Sequence, residues 1–125
     1  MTINDGMVVK KHGKFLQDSG ASGHPLIVVL HDDHIIWGAL CTDARNASKF
    51  PHTISFNWQY CGLSKNTVVI CDKLRQFNIS DITKYYGDVS TEDMSRIIAA
   101  LDNGRASEDV AESLYSNLRG AVPHE

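Results

Sequence analysis

No apolar run in this chain approaches the roughly 20 residues that a membrane-spanning helix needs. The continuous ones, such as Leu26 to Leu30 and Thr67 to Cys71, are strand-sized. No basic segment followed by an apolar core opens the sequence, so a cytoplasmic location without a membrane partner is expected. Cysteine is scarce. Cys41, Cys61 and Cys71 are odd in number and lack a Cys-x-x-Cys spacing, which argues against a disulfide framework and against a zinc site. Cys41 and Cys71 sit inside apolar strand patterns and read as buried thiols. Positive charge is not in excess either: 12 Lys and Arg stand against 15 Asp and Glu, a net charge of −3. That balance excludes a protein that holds nucleic acid by bulk charge. No Ser-His-Asp order or nucleophile elbow is visible, which disfavours an unrelated hydrolase. With 125 residues there is room for one domain with one real core, so residues 1–125 are expected to form a single unit.

What charge there is comes in groups. Lys10, Lys11 and Lys14 cluster early, and Lys73, Arg75 and Lys84 later. The acids gather toward the end, at Asp88, Glu92, Asp93, Asp102, Glu108, Asp109, Glu112 and Glu125. Between these groups the pattern is mainly that of strands. Met7 to Lys10 follows the Asp5-Gly6 turn signal and forms a first short strand. Lys11 to Gly23, with Gly13, Gly20 and Gly23 and no periodicity, is a long loop of the kind that often carries function. Pro25 leads into the strand Leu26 to Leu30. His31-Asp32-Asp33-His34 reads as a tight hairpin turn with the two histidines facing each other, and the alternative is a set of metal ligands. A single four-residue tip supplies too few ligands in too rigid a geometry, so no metal site is assigned. Ile35 to Thr42 is the next strand, with Gly38 marking a bulge or close approach. His52 to Trp58 alternates, with Thr53, Ser55 and Asn57 on one face and Ile54, Phe56 and Trp58 on the other.

The stretch Lys65 to Ile82 organises the rest. Thr67 to Cys71 is β-branched and apolar, as a strand buried on both faces would be. It ends on Asp72, then brings Lys73 and Arg75 to its rim and closes a second extended piece at Asn78 and Ser80. Asp81 to Gly87 reads as a short helical turn plus connector. Ser90-Thr91-Glu92-Asp93 is a helix start, with acids in the first turn where they favour the dipole. Met94, Ile97, Ile98 and Leu101 form the buried stripe of that helix, and Asn103-Gly104 stops it. Ser107 opens a second helix with Val110, Ala111, Leu114, Tyr115 and Leu118 on one face.

VVICDKLRQFNISDI followed by KYYGDVSTEDMSRIIAAL resembles the end of the MazF/PemK/Kid family of toxins from type II toxin–antitoxin pairs. The likeness rests on Cys71-Asp72, the basic Lys73 and Arg75, Gly87 and the helix after Ser90. It extends over about residues 5 to 103. The resemblance implies a mainly β (α+β) fold, an SH3-like, strongly bent β-barrel of five to seven strands with C-terminal helices. The helix at about 107–119 is an addition to the family pattern. The family's mobile loop between the first strands falls on the Lys11 to Gly23 segment.

The resemblance also implies a function. Family members cleave single-stranded RNA without metal or other cofactor, through the 2′-hydroxyl, as mRNA interferases restrained by an antitoxin and working as homodimers. Carried over residue by residue, His24 takes the place of the family's catalytic arginine before the proline, Thr42 matches the threonine ending the third strand, and Asp72 matches the strand-end acid. These three are the expected catalytic residues. Arg45, Lys49, Lys73 and Arg75 are the expected RNA-binding cations. Histidine can act as acid or base near neutrality and, when protonated, can hold a phosphate. Because an arginine is replaced by His24, a noncatalytic relative that uses the same barrel to bind a protein or nucleic acid is the alternative.

Overall fold

The structure is a computed structural model, and it describes residues 2–12, 24–32 and 35–104, with side chains as far as Leu101. Six strands form one antiparallel sheet, in the order β4-β5-β3-β2-β1-β6. They are β1 (Met7–Lys11), β2 (Pro25–His31), β3 (Ile35–Asp43), β4 (Thr53–Ser55), β5 (Thr67–Asn78) and β6 (Ile82–Asp88), followed by the helix α1 (Thr91–Gly104). A 3-10 turn, Ala44–Lys49, leaves the end of β3, and a second, Ile79–Asp81, joins β5 to β6. No ladder joins the two margins, β4 and β6, so among the described residues the sheet stays open and is not closed into a barrel.

The continuous apolar runs are explained by two clusters, one on each face of the sheet. Alternation sends Val8, Ile27, Ala39, Cys41 and Val69 to the first cluster and Val9, Leu26, Val28, Leu40 and Ile70 to the second. The first cluster is completed by Phe56, Cys61 and Leu63 and by Ile97, Ile98 and Leu101 of α1. Burial of those three helix side chains is worth up to roughly 5–9 kcal/mol at about 1.5–3 kcal/mol each. The second cluster is bordered by Phe50, Ile79 and Ile82.

Glycine has a steric task at the sheet centre. A Cβ on Gly38 would lie 2.9 Å from Phe77 Cε1 and 3.2 Å from Leu26 Cβ. A second close approach fixes the loop after β4 against β6. Gly62 has φ +83°, and a Cβ there would stand 2.7 Å from the Tyr86 carbonyl oxygen; a Cβ on Gly87 would stand 2.5 Å from the Cys61 carbonyl oxygen.

The helix start follows the sequence signal. Asp93 N–H donates to Ser90 Oγ at 3.1 Å, and Met94 N–H to the Ser90 carbonyl at 2.8 Å. The Asp93 carboxylate is itself largely buried and ties two elements together. It accepts from Asn57 N–H at 2.9 Å and from Arg96 Nη1 at 3.0 Å. Asp93→Ala strands the Asn57 amide and is expected to cost about 1–3 kcal/mol, read as a lower urea midpoint. Asp93→Asn keeps one acceptor and should lose less; equal midpoints for wild type and Asp93→Ala would refute this tether.

Several expectations from sequence are corrected. The segment Asp81 to Gly87 is not a helical turn and connector: only Ile79–Asp81 is a 3-10 turn, and Ile82–Asp88 is a strand paired with β1. Its β-branched and aromatic residues suit a sheet margin, and the partner that stabilises it lies far away in sequence. β5 does not end at Asp72 but runs on to Asn78 as one strand. The strand expected over His52 to Trp58 is reduced to Thr53–Ser55, because Trp58 to Gly62 turns back toward β6. At the expected hairpin turn, His31 Nδ1 lies 2.7 Å from Asp5 Oδ1, and Asp32 Oδ1 accepts from Ile35 N–H at 2.8 Å. His34, most of the Lys11 to Gly23 loop and the helix expected at about 107–119 lie outside the described residues.

Candidate active site

The candidate residues gather around the C-terminal end of β3. β2 pairs with β3 in the register Leu26↔Leu40 and Ile27↔Ala39. The ladder ends there; carried two residues outward on each chain segment, the same register would set His24, immediately before β2, level with Thr42. Thr42 is buried, 2% exposed, and lies opposite Val68 of β5. His24 is half-buried.

Asp72 reaches this end through an irregularity in β5. The β3–β5 ladder passes from Cys41↔Val69 to Ala39↔Leu74, so that Ile70, Cys71, Asp72 and Lys73 all stand against the single residue Leu40. A strand with so many extra residues bends and re-aims its side chains. On the other side of this corner, β4 pairs through Thr53↔Ile70, and Cys71 N–H donates to the His52 carbonyl at 2.6 Å. The corner leaves one polar atom in need: Asp72 Oδ1 is buried and has no hydrogen-bond partner. A buried carboxylate oxygen without a donor is uncommon and calls for a ligand or a chemical role.

The cations are divided. Arg45 and Lys49 belong to the 3-10 turn that continues β3, and both are exposed. Arg45 is clasped by Asp43: Nε donates to Oδ1 at 3.1 Å, Nη2 to Oδ2 at 2.9 Å, and the Arg45 backbone N–H to Oδ1 at 2.9 Å. These bonds draw the Asp43 carboxyl down to about 2, so the pair stays ionised at any ordinary pH. The Lys73 ammonium lies 6.0 Å from the centre of the Phe50 ring, which places it beside the end of that turn. Arg75 stands apart from the other three. It lies opposite Gly38, deeper along the sheet, is 6% exposed, and donates from Nη1 to the Leu74 carbonyl at 3.1 Å.

The structure thus places Thr42, Arg45 and Lys49 at or just beyond the C-terminal end of β3, Asp72 and Lys73 at the β5 corner against Leu40, His24 just before β2, and Arg75 further inward. Sequence reasoning missed Asp43 and Phe50. The Asp-x-Arg spacing at a strand end was a usable signal for Asp43, as a side-chain cap with a fork partner two residues on. Nothing local pointed to Phe50, whose role depends on the β4–β5 register.

The thiols take no part as nucleophiles. Burial pushes Cys71 up to about 11, with the Asp72 carboxylate adding to the effect, and burial likewise raises Cys61 to about 11. Cys41 is raised further by complete burial. Among the described residues, no group of three or more His, Cys, Asp or Glu side chains could hold a metal ion.

No protein-family model matches this sequence, and no curated protein matches it. Solved structures do. A mycobacterial endoribonuclease in complex with its cognate antitoxin superposes with a TM-score of 0.62 at 16% identity, over 83% of this chain and 95% of that one. MazF from Deinococcus radiodurans gives 0.63 at 16% identity, over 82% and 96%. The Mycobacterium tuberculosis toxin MazF-mt6 gives 0.58 at 13% identity, over 79% and 95%. The open antiparallel sheet with its terminal helix is the fold of the MazF toxins.

Proposed function

We propose that this protein is the toxin of a toxin–antitoxin pair and cleaves single-stranded RNA as a metal-independent endoribonuclease of the mRNA interferase type. The observation that supports the reading is the buried Asp72 Oδ1, left without a hydrogen-bond partner at the β5 corner of a sheet with this fold. In the proposed reaction Asp72 accepts the proton of the 2′-hydroxyl, whose oxygen attacks the adjacent phosphorus. The bond from phosphorus to the 5′ oxygen breaks, and protonated His24 gives that oxygen its proton. The products are a 2′,3′-cyclic phosphate and a 5′-hydroxyl. Thr42 donates a hydrogen bond to a phosphate oxygen, and Lys49 and Lys73 hold flanking phosphates.

A cognate antitoxin would restrain this activity, and a homodimer would present two such sites. The test is purified protein on a long single-stranded RNA in EDTA, with the product ends identified. Cyclic phosphate ends and growth arrest on induction of the protein alone are expected. Intact RNA across pH 5–8 would overturn the enzymatic reading in favour of a noncatalytic binding protein. The clasp of Asp43 on Arg45 favours that second reading, since it occupies a cation the first would use.

A further inference from the structure

From the strand registers we infer that Lys11 is a phosphate-binding residue of the same site, supplying the permanent positive charge that the His24–Thr42 row lacks. The inference rests on the proposed action on single-stranded RNA. β1 lies on the side of β2 away from β3, in the register Val8↔Ile27, Val9↔Leu26 and Lys10↔Pro25. One further step brings Lys11 level with His24. Since His24 is level with Thr42, the three residues form a single row across β1, β2 and β3.

The row also shares a face. Lys11, His24 and Thr42 each stand two residues from Val9, Leu26 and Leu40, and those three are buried in one cluster. Side chains two apart on a strand point the same way, so the row borders that cluster on one side of the sheet. Neighbouring strands are about 4.8 Å apart, so the Lys11 stem spans the distance to a phosphate held between His24 and Thr42. Lys11 is half-buried, and its Nζ donates to the His12 carbonyl at 3.0 Å.

The chemistry asks for such a group. A histidine is cationic only while protonated, and a threonine is neutral, so neither holds a phosphodiester by fixed charge. The fixed charges assigned to the site so far lie on the opposite side of Thr42, in the 3-10 turn and at the β5 corner. Lys11 would place charge on the other flank, so that the RNA backbone is held on both sides of the His24–Thr42 pair.

The experiment measures binding, which separates this inference from cleavage. A mixed-sequence RNA 20-mer with 2′-O-methyl riboses cannot be cut and is titrated against full-length wild type, Lys11→Met and Lys11→Arg at 50 to 200 mM salt. Losing one phosphate contact to a single strand lowers the slope of log K against log salt by about 0.7, which amounts to about eightfold weaker binding at 50 mM and about threefold at 200 mM. Lys11→Met should show that pattern with an unchanged melting temperature, and Lys11→Arg should restore both affinity and slope. An unchanged affinity in Lys11→Met overturns the assignment. So does weakening without a change of slope, or weakening that arginine does not repair, since either points to a structural role. If the wild type itself does not bind this RNA, the proposed function fails and the assignment falls with it.

Discussion

His24→Ala is expected to reduce RNA cleavage by about two to four orders of magnitude, the usual contribution of one positioned proton-transfer group. The fold should survive, because His24 sits half-buried at the mouth of β2 and outside both apolar clusters. Circular dichroism and melting temperature should therefore match the wild type while the gel does not. If the imidazole delivers a proton to the leaving 5′ oxygen, the active form is the protonated one. Activity should then fall as pH rises between about 5 and 8, where imidazole groups titrate. A histidine acting as base would give the opposite slope. His24→Arg keeps a cation beside the phosphate but gives up no proton at these pH values, so it should regain RNA binding and only a small part of the rate. Equal cleavage by wild type and His24→Ala would remove this side chain from the chemistry.

The largest expected effect on stability is at Gly87. A Cβ there would lie 2.5 Å from the Cys61 carbonyl oxygen and 3.0 Å from its carbon, so relief requires the whole Trp58–Gly62 turn to move. That turn has little freedom. Cys61 is 1% exposed in the core, its Sγ lies 3.4 Å from the Asn57 carbonyl, and the Asn57 amide is held by Asp93. Gly87→Ala should thus cost about 2–3 kcal/mol, toward the upper end for overpacking. The melting temperature of a domain this size would drop by roughly 6–15 °C. Gly38→Ala is the informative comparison: its nearest atom, at 2.9 Å, is Cε1 of the Phe77 side chain and not backbone, so its loss should be smaller. The two denaturant midpoints decide the matter. A Gly87→Ala midpoint at or above that of Gly38→Ala would show that the turn is not pinned.

What could be read in the sequence follows from how locally each feature is encoded. β2, β3 and the first half of β5 are continuous, largely apolar runs, a pattern that survives any arrangement of neighbours. The helix announces itself through Ser90 and its first-turn acids. The second half of β5 was obscured because Lys73 and Arg75 interrupt the apolar pattern, and only the sheet shows that Arg75 is buried opposite Gly38. β6 was lost for a different reason: its exposed Lys84 and Tyr85 carry no inward stripe, and its pairing with Met7–Lys11 is a long-range contact. The site divides in the same way. Thr42 could be named from the end of β3 and Asp72 from the break in the apolar run of β5, but where Asp72 stands along β3 depends on a corner in which four residues face one. The row that includes Lys11 appears only once two registers are joined across β2.

The margins of the sheet carry a consequence for concentrated protein. β4 offers only Thr53–Ser55, and β6 departs from regular pairing twice, between Val8 and Val9 and between Lys10 and Lys11 of its partner, with Lys84 along its length. Neither border presents a long straight row of amides on which another chain could template itself. Growth into ribbons through β4 or β6, open to a flat-edged sheet of the same size, is not expected.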